Sequence, residues 1–560
     1  MGDFRNIEEG FVIPTENGGY CDEPALAELK DGSWICAVTT SEETEGSSTQ
    51  YVSILKSCDR GRTWSAPKRI EPKEDGKYWE SSYSKMAVGP DGTVFCFYCY
   101  NDKHYTKENV GCTGYTRFDM GVSFCYRYSK DGGESWSPRH NIPIRPTKME
   151  REYPYIAPDG KIIPFFWNVS KILVKDGSVY VPLTKTNKDL SVGEGVILKS
   201  EDLFANPDEA HWVTLPEGDG ILKADELGDV CEEHSCVMLS DGSIVCTFRT
   251  AKGGIGFSVS RDGGRSFEKS CQLKYPDGRN IKNSRANNTF WNIGDGRFLF
   301  WFTNNGYNGF YARNPEWISA AVEIEKEGGK TLEVSQPEIL LYSRNHNAGC
   351  SYPDYIKAED TLYISETQKT TARTHAIPMS FINDIFRQFD KGAECKKAPD
   401  VLLGGVEKNV FSKPFCRLED KNFKGVTLNF EFTYKPGNKT LIFCNKDKRE
   451  EGVTVTAFQD GSIEVAAEET RVNFSLHTEP CLRSGLNKIA IVYDLRAGVV
   501  FIVVNGLLSD GGERCTGWKM IPDEINHPGE NIKAEFDENV IRGGIYFEPL
   551  TVTDCVLLTR

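Results

Sequence analysis

Short apolar runs broken by an acidic residue and a glycine set the rhythm of the first two thirds of the chain. The break recurs at Asp31-Gly32, Asp91-Gly92, Asp176-Gly177, Asp241-Gly242 and Asp295-Gly296, with a degenerate sixth copy at Glu359-Asp360. The flanking runs, such as Trp34-Ile35-Cys36-Ala37-Val38 and Val94-Phe95-Cys96-Phe97-Tyr98-Cys99-Tyr100, have strand length and strand composition. Asp-Gly between two such runs marks a tight β-hairpin, because Gly takes the positive-φ corner. Spacings of roughly 55–85 residues leave room for four strands per unit. Six units predict six four-stranded blades.

A second pattern sits between the hairpins: Ser57-Cys58-Asp59-Arg60-Gly61-Arg62-Thr63-Trp64, Ser129-Lys130-Asp131-Gly132-Gly133-Glu134-Ser135-Trp136 and Ser260-Arg261-Asp262-Gly263-Gly264-Arg265-Ser266-Phe267. A short acceptor bonds nearby backbone N–H groups, Gly turns the corner, and the aromatic anchors the turn. This is the Asp-box, and on it the stretch of roughly residues 10–385 resembles the sialidase superfamily of β-propellers. The resemblance speaks to scaffold and not to activity, because the motif sits on the outer edge of a blade.

Near residue 400 the pattern changes. Asn429–Tyr434, Thr454–Phe458, Ser462–Ala466, Lys488–Tyr493 and Val499–Gly506 are alternating strands without Asp-boxes. The run from Asn487 to Gly512 resembles a laminin-G or concanavalin-like sandwich, a module that binds carbohydrate or braces the propeller. The expected fold is therefore all-β: a catalytic six-bladed propeller over residues 1–390, an exposed linker over 391–404, and a jelly-roll-like β-sandwich over 405–560.

Bulk properties narrow the function. A chain of 560 residues exceeds one ordinary core. A net charge of −15 argues against nucleic acid and anionic membranes as partners. No apolar run reaches the ~20 residues that span a bilayer. The 18 cysteines fall singly on strand-like runs, which suggests buried apolar side chains rather than a disulfide framework. Neither a cofactor nor a metal is expected, since no paired Cys motif or calcium loop is present. The N-terminus shows no apolar leader, so a cytoplasmic location is expected, or a secreted one if a leader has been removed.

In a propeller the innermost strands line a central channel, so the hairpins locate the pocket candidates. The first blade offers Asp22, Glu23 and Glu42, the second Glu80, the third Trp167, Lys171 and Lys185. The fourth offers Glu232, Glu233, His234 and Arg249, the fifth Arg285 and Arg313, the sixth Tyr352, Asp354, Glu366 and Gln368-Lys369. Polar groups converging from six blades suit an oligosaccharide or glycan.

The sialidase resemblance adds roles residue by residue. The tyrosine nucleophile matches Tyr352, its activating glutamate Glu232 or Glu233, the glutamate closing the sixth hairpin Glu366, and one carboxylate-binding arginine Arg313. Two arginines are missing from their places. Phe11-Val12-Ile13-Pro14 has Val, Tyr20-Cys21-Asp22-Glu23-Pro24 has acids, and Ala251–Phe257 has none, with Arg249 set by the alignment on a supporting strand. Bidentate arginine is the usual grip on a carboxylate. The expected enzyme is therefore an exo-acting glycoside hydrolase on a sugar other than a standard sialic acid. Its acid/base work falls to carboxylates, with Asp22, Glu232, Glu233, Tyr352, Asp354 and Glu366 as catalytic candidates. Glu23, Glu42, Glu80, Lys171, His234, Arg249, Arg285, Arg313 and Gln368 are the candidates for substrate binding. A true exo-α-sialidase using Tyr352 and Glu233, a polysaccharide lyase, and a glycan-binding propeller without catalysis are the alternatives. The oligomeric state is left open.

Overall fold

Six antiparallel sheets follow one another along the chain in the computed structural model, which describes residues 2–16, 19–74, 76–111, 117–403, 424–446, 450–469, 472–522 and 535–560. The innermost strands are Tyr20–Glu28, Ser81–Val88, the interrupted pair Phe165–Trp167 and Leu173–Lys175, Cys231–Met238, Thr289–Gly294 and Ser351–Ala358. Every hairpin marked by the six acidic turns joins an innermost strand to the second strand of its sheet. Gly32, Gly92, Gly177, Gly242 and Gly296 hold positive φ there, and in the degenerate sixth turn Glu359 does so at 53°. The ring closes through the N-terminus. Phe11–Ile13 pairs with Ala372–Pro378 as the outermost strand of the sixth sheet, in register Phe11 to Thr374.

The three Asp-boxes are built alike. The serine hydroxyl accepts the N–H of Gly61, Gly133 and Gly264 at 2.8, 2.7 and 2.8 Å. The Asp carboxylate accepts the N–H of Thr63, Ser135 and Ser266 at 2.8, 2.9 and 2.9 Å. Each staple thus satisfies backbone donors that a bare turn would leave to solvent. The third blade carries a degenerate copy, in which Ser200 Oγ donates to Asp202 at 3.0 Å. There the closing N–H comes from His211, nine residues on, at 2.9 Å.

Beyond the short helix Met379–Phe386, two further antiparallel sheets share one core. Phe430, Ile491 and Ile502 of the larger sheet pack with Phe443, Val455 and Val465 of the smaller. Part of the expected linker belongs to this domain, since Val401–Leu403 pairs with Gly543–Ile545 at the edge of the larger sheet. The expected boundary at residue 405 lies outside the described residues. The closing helix Val552–Thr559 is buried on nearly every side. It shares a core with Trp317 and Phe300 of the fifth blade and with Val503 of the larger sheet. Thr553 N–H donates to the buried Glu338 carboxylate at 3.1 Å, tying the helix to the propeller. All described cysteines are free, Cys36, Cys96 and Cys99 being buried as strand residues.

Candidate active site

Four innermost strands share one irregularity. The pairing register slips between Asp22 and Ala25, Ser82 and Lys85, Glu232 and Ser235, and Ser351 and Asp354. Inside each slip sits one residue with positive φ: Glu23 at 50°, Tyr83 at 56°, Glu233 at 53° and Tyr352 at 48°. A bulge breaks the in–out alternation of a strand and re-aims one side chain. Left-handed backbone at a non-glycine residue costs on the order of 1–3 kcal/mol. Four such positions at matching places in four blades mark the channel end where side chains were turned inward.

A pocket of about 630 Å³ opens at that end, within the range of ligand sites. Tyr83, Glu233 and Tyr352 line it, with Arg249, Arg313, Lys369, Gln368, Arg117 and Glu45. Met120, Trp167 and Leu190 make an apolar wall, and Phe310 and Tyr311 the rim. At its base Tyr352 donates its phenol proton to Glu233 Oε1 at 2.7 Å. Both side chains are buried. Burial raises Glu233 above the ordinary carboxylate range despite the opposing pull of Arg249 and Arg313. Burial, and then the Glu233 charge, also raises the Tyr352 phenol. The phenol therefore needs a base to lose its proton, and Glu233 is the base it touches.

The cations around this pair differ in how they are neutralised. Arg249 bridges two carboxylates, reaching Glu232 Oε2 at 2.7 Å and Glu233 Oε1 at 2.5 Å. Arg285 braces Glu232 from behind at 2.7 Å. Lys369, with its ammonium 4.5 Å from the Tyr352 ring centroid, pairs with Asp22 at 2.5 Å and Glu45 at 3.4 Å. Burial is the largest single influence on the Lys369 ammonium and would lower its pKa, but Asp22, Tyr352 and Glu45 together hold it above its ordinary value. Arg117 pairs with Asp119 at 2.5 Å and Glu45 at 3.0 Å. Burial works to raise Glu45, yet Lys369 and Arg117 hold it at about 2. Arg313 stands apart. It donates to Ser351 Oγ at 2.6 Å and to the Arg285 carbonyl at 3.2 Å. Among the described residues it makes no ion pair, and its buried Nε has no hydrogen-bond partner.

Of the residues expected at the site, Glu233, Tyr352, Arg249, Arg313 and Gln368 line the pocket, as does Trp167. Arg249 does so from the second strand of its blade, Ile244–Thr250, the supporting strand on which it was expected. The expected ring of pocket acids is corrected. Asp22 is fully buried behind Lys369 and also accepts the Tyr20 hydroxyl at 2.6 Å. Glu23 is fully buried, 3.4 Å from the Lys85 ammonium, and burial raises it well above its ordinary pKa. Glu232 is spent on the two arginines, and Arg285 faces it. Asp354 pairs with Lys171 at 2.6 Å and accepts Leu26 N–H at 2.8 Å, away from the pocket lining. Glu366 is fully buried against His375 at 3.0 Å. His234 is a core group. Thr184 and the Leu222 carbonyl take its ring nitrogens at 3.0 Å each, and burial pushes it down to about 3. Glu80 is buried beside Asn101 at 3.3 Å. Glu42 is exposed on the loop where Glu45, three residues on, is the group lining the pocket.

Tyr83, Arg117, Met120, Leu190, His346, Glu45 and the Phe310–Ala312 segment were missed by sequence reasoning. A signal existed for Tyr83. Glu23, Tyr83, Glu233 and Tyr352 each precede by eight residues the aspartate of their own hairpin, Asp31, Asp91, Asp241 and Asp360. The loop residues carry no such signal.

A family model described as a BNR repeat-like domain matches residues 52–364. Solved structures of similar fold include a protein of unknown function from Dyadobacter fermentans, 16% identical with a TM-score of 0.47 over 66% of this chain and 98% of that one. They also include Trypanosoma rangeli sialidase in complex with the inhibitor DANA, 12% identical with a TM-score of 0.46 over 96% and 93%. The leech intramolecular trans-sialidase complexed with 2,7-anhydro-Neu5Ac is 14% identical, with a TM-score of 0.44 over 65% and 69%. No curated protein matches in sequence.

Proposed function

The chain belongs to the BNR repeat-like family, and from that premise we propose that it hydrolyses a terminal glycosidic bond of a carboxylate-bearing sugar, with Tyr352 as nucleophile and Glu233 as its base. The observation that carries this reading is the 2.7 Å hydrogen bond from the Tyr352 phenol to Glu233 at the pocket base. Attack of the phenol oxygen on the anomeric carbon requires its proton to leave, and Glu233 accepts it as the bond forms. Water then breaks the glycosyl–tyrosine bond, giving its proton to the carboxylate that had protonated the leaving oxygen, while the phenol recovers its proton from Glu233. A phenol suits a substrate that carries its own carboxylate, because an anionic nucleophile would meet a like charge at the reacting carbon.

The lining supports an anionic substrate, where the two missing arginines had suggested a sugar other than a standard sialic acid. Arg313 has no carboxylate of its own, and Lys369 and Arg249 flank the same tyrosine. A guanidinium and an ammonium on one side, with the apolar wall of Met120, Trp167 and Leu190 on the other, fit a sugar that is charged at one edge and carries a methyl-bearing substituent. Glu45 is the solvent-accessible carboxylate at the mouth and the candidate to protonate the leaving oxygen. Its low pKa in the free protein rises when a substrate carboxylate competes for Lys369 and Arg117.

The test is hydrolysis of 4-methylumbelliferyl α-sialoside and β-glucuronide against neutral aryl glycosides. The expected result is cleavage of a carboxylate-bearing substrate, falling about 10²–10⁴-fold in Glu233→Gln and further in Tyr352→Phe. Cleavage of neutral glycosides alone, or full activity of Tyr352→Phe, overturns the proposal.

A further inference from the structure

Among the described residues no hydrogen bond or ion pair joins the C-terminal sheets to a residue lining the pocket, yet one of their segments grips both stretches of propeller that shape the pocket's fifth-blade side. The segment runs from Ser509 to Trp518. Lys282 inserts its ammonium among three of its backbone carbonyls, those of Asp510, Gly512 and Arg514, at 2.6, 2.5 and 2.6 Å. Three carbonyls around one ammonium use all three of its donors. The Cys515 carbonyl accepts Gly306 N–H at 2.5 Å, and the Trp518 indole donates to the Asn304 carbonyl at 2.9 Å while its ring lies 5.7 Å from that of Trp317.

These contacts fall at the roots of the two stretches in question. Asn304 and Gly306 open the loop between Arg297–Phe302 and Glu316–Lys326, and that loop goes on to present Phe310, Tyr311, Ala312 and Arg313 to the pocket. Lys282 stands three residues before Arg285, whose N–H donates to the Gly309 carbonyl at 3.0 Å and whose carbonyl accepts Arg313 at 3.2 Å. The Arg285 guanidinium in turn lies 4.5 Å from the Phe310 ring centroid. The loop itself makes few regular backbone pairs, and Tyr311 is 79% exposed. The loop is held at its root, by Arg285, and at its far end, where the Arg313 carbonyl accepts Cys350 N–H at 3.0 Å and its guanidinium donates to Ser351 Oγ at 2.6 Å.

We infer that the C-terminal domain is a working part of the pocket, with Lys282 and Trp518 as positioning residues that hold the Asn304–Arg313 loop and, through it, the unpaired Arg313 guanidinium. The role of Arg313 rests on the functional reading above; the clamp on the loop does not. Loosening the root leaves Phe310–Ala312 hinged between Arg285 and the Arg313 anchor on the sixth blade, so the segment moves more freely and the Arg313 guanidinium is held less exactly.

The experiment is amide hydrogen exchange on the full chain, comparing wild type with Lys282→Met and with the milder Trp518→Phe, which keeps the ring and loses the N–H donor. Exchange in residues 304–313 is expected to quicken by about tenfold or more in Lys282→Met and less in Trp518→Phe, while the second-blade loop around Arg117–Met120 stays at the wild-type rate. The same variants are then titrated with N-acetylneuraminic acid and with glucuronic acid, whose binding should weaken in step with loop exchange. Wild-type exchange in residues 304–313 of both variants overturns the inference, and so does an increase spread evenly over the propeller, which would mark general destabilisation. If loop exchange responds but neither acid binds even the wild type, the functional reading falls and the clamp stands.

Discussion

Replacing Arg249 by Met removes a charge that is 96% buried by exposure, at 4% accessible, while keeping most of the aliphatic stem. The side chain makes three charge-assisted contacts: Nε and Nη2 to Glu232 at 3.0 and 2.7 Å, and Nη1 to Glu233 at 2.5 Å. Glu232 keeps Arg285 after the change, so the stranded carboxylate is Glu233. Breaking a buried pair from one side costs about 3–5 kcal/mol, because the remaining ion is left without compensation. Glu233 can escape part of that cost by taking a proton, and its pKa already lies above its ordinary 4.5 through burial. A carboxyl whose folded pKa is raised contributes stability that is present below its unfolded pKa and lost as pH rises through the folded one. The variant, with the folded pKa higher still, should therefore lose about 3–5 kcal/mol at pH 8 and only about 1–2 kcal/mol near pH 5, where the neutral acid needs no counter-ion. Urea unfolding at the two pH values, followed by tryptophan fluorescence, reads the difference. A loss below about 1 kcal/mol at pH 8, or one that does not shrink toward pH 5, would refute the view that Arg249 holds the Glu233 charge.

Arg313→Met should raise KM for an anionic glycoside by about tenfold or more, the worth of one charge-assisted contact, with a smaller change in kcat, as steady-state kinetics would show. Lys171→Met strands the Asp354 carboxylate at a third-exposed ion pair and should cost about 1–3 kcal/mol in urea, while leaving pocket kinetics untouched, since neither residue reaches the lining. Asp262→Ala removes the acceptor for the Ser266 N–H and hydroxyl and should lower stability by about 1–2 kcal/mol, with activity at permissive temperature unchanged. Binding of a sugar carboxylate should draw a proton onto Glu233, so calorimetric titrations in two buffers of different ionisation enthalpy should give different apparent heats.

What was legible in the sequence was what closes locally. The Asp-Gly hairpins and the Ser-x-Asp staples complete their hydrogen bonds within about six residues, so turn chemistry alone reports them. The third-blade copy at Ser200-x-Asp202 escaped because its closing donor, His211, arrives after an inserted loop. The hydrogen-bonded pair at the pocket base was legible too, as Glu233 and Tyr352, through motif and hairpin position. The pairing of charges was not. Lys369 and Asp22 are 347 residues apart in the chain, and Lys171 and Asp354 are 183 apart. Counting acids near strand ends could not tell which face the pocket and which stand behind a cation. The bulges compound the difficulty, since a one-residue slip brings Glu233 to Tyr352 and its neighbour Glu232 to Arg285 while Arg249 reaches both.

That ambiguity explains why the acid-rich strand ends read as a ring of pocket acids. Burying a guanidinium or ammonium around a pocket without a counter-ion is costly, so a cationic lining favours a second layer of carboxylates. Arg117, Arg249, Arg285, Arg313 and Lys369 are matched in number by Glu45, Asp22, Asp119, Glu232 and Glu233, but not in contact. Four of the cations take up all five carboxylates and leave Arg313 over. An incoming carboxylate therefore finds one guanidinium already desolvated and unpaired, and the extra negative charge it brings is most cheaply met by a proton on Glu233, the carboxyl whose charged form burial already disfavours. Such a proton would have to leave Glu233 again before the base could act. On the proposed mechanism, substrate binding and base activity would pull on one carboxyl in opposite directions, and Arg249, 2.5 Å from Glu233, is the group placed to set where that balance falls.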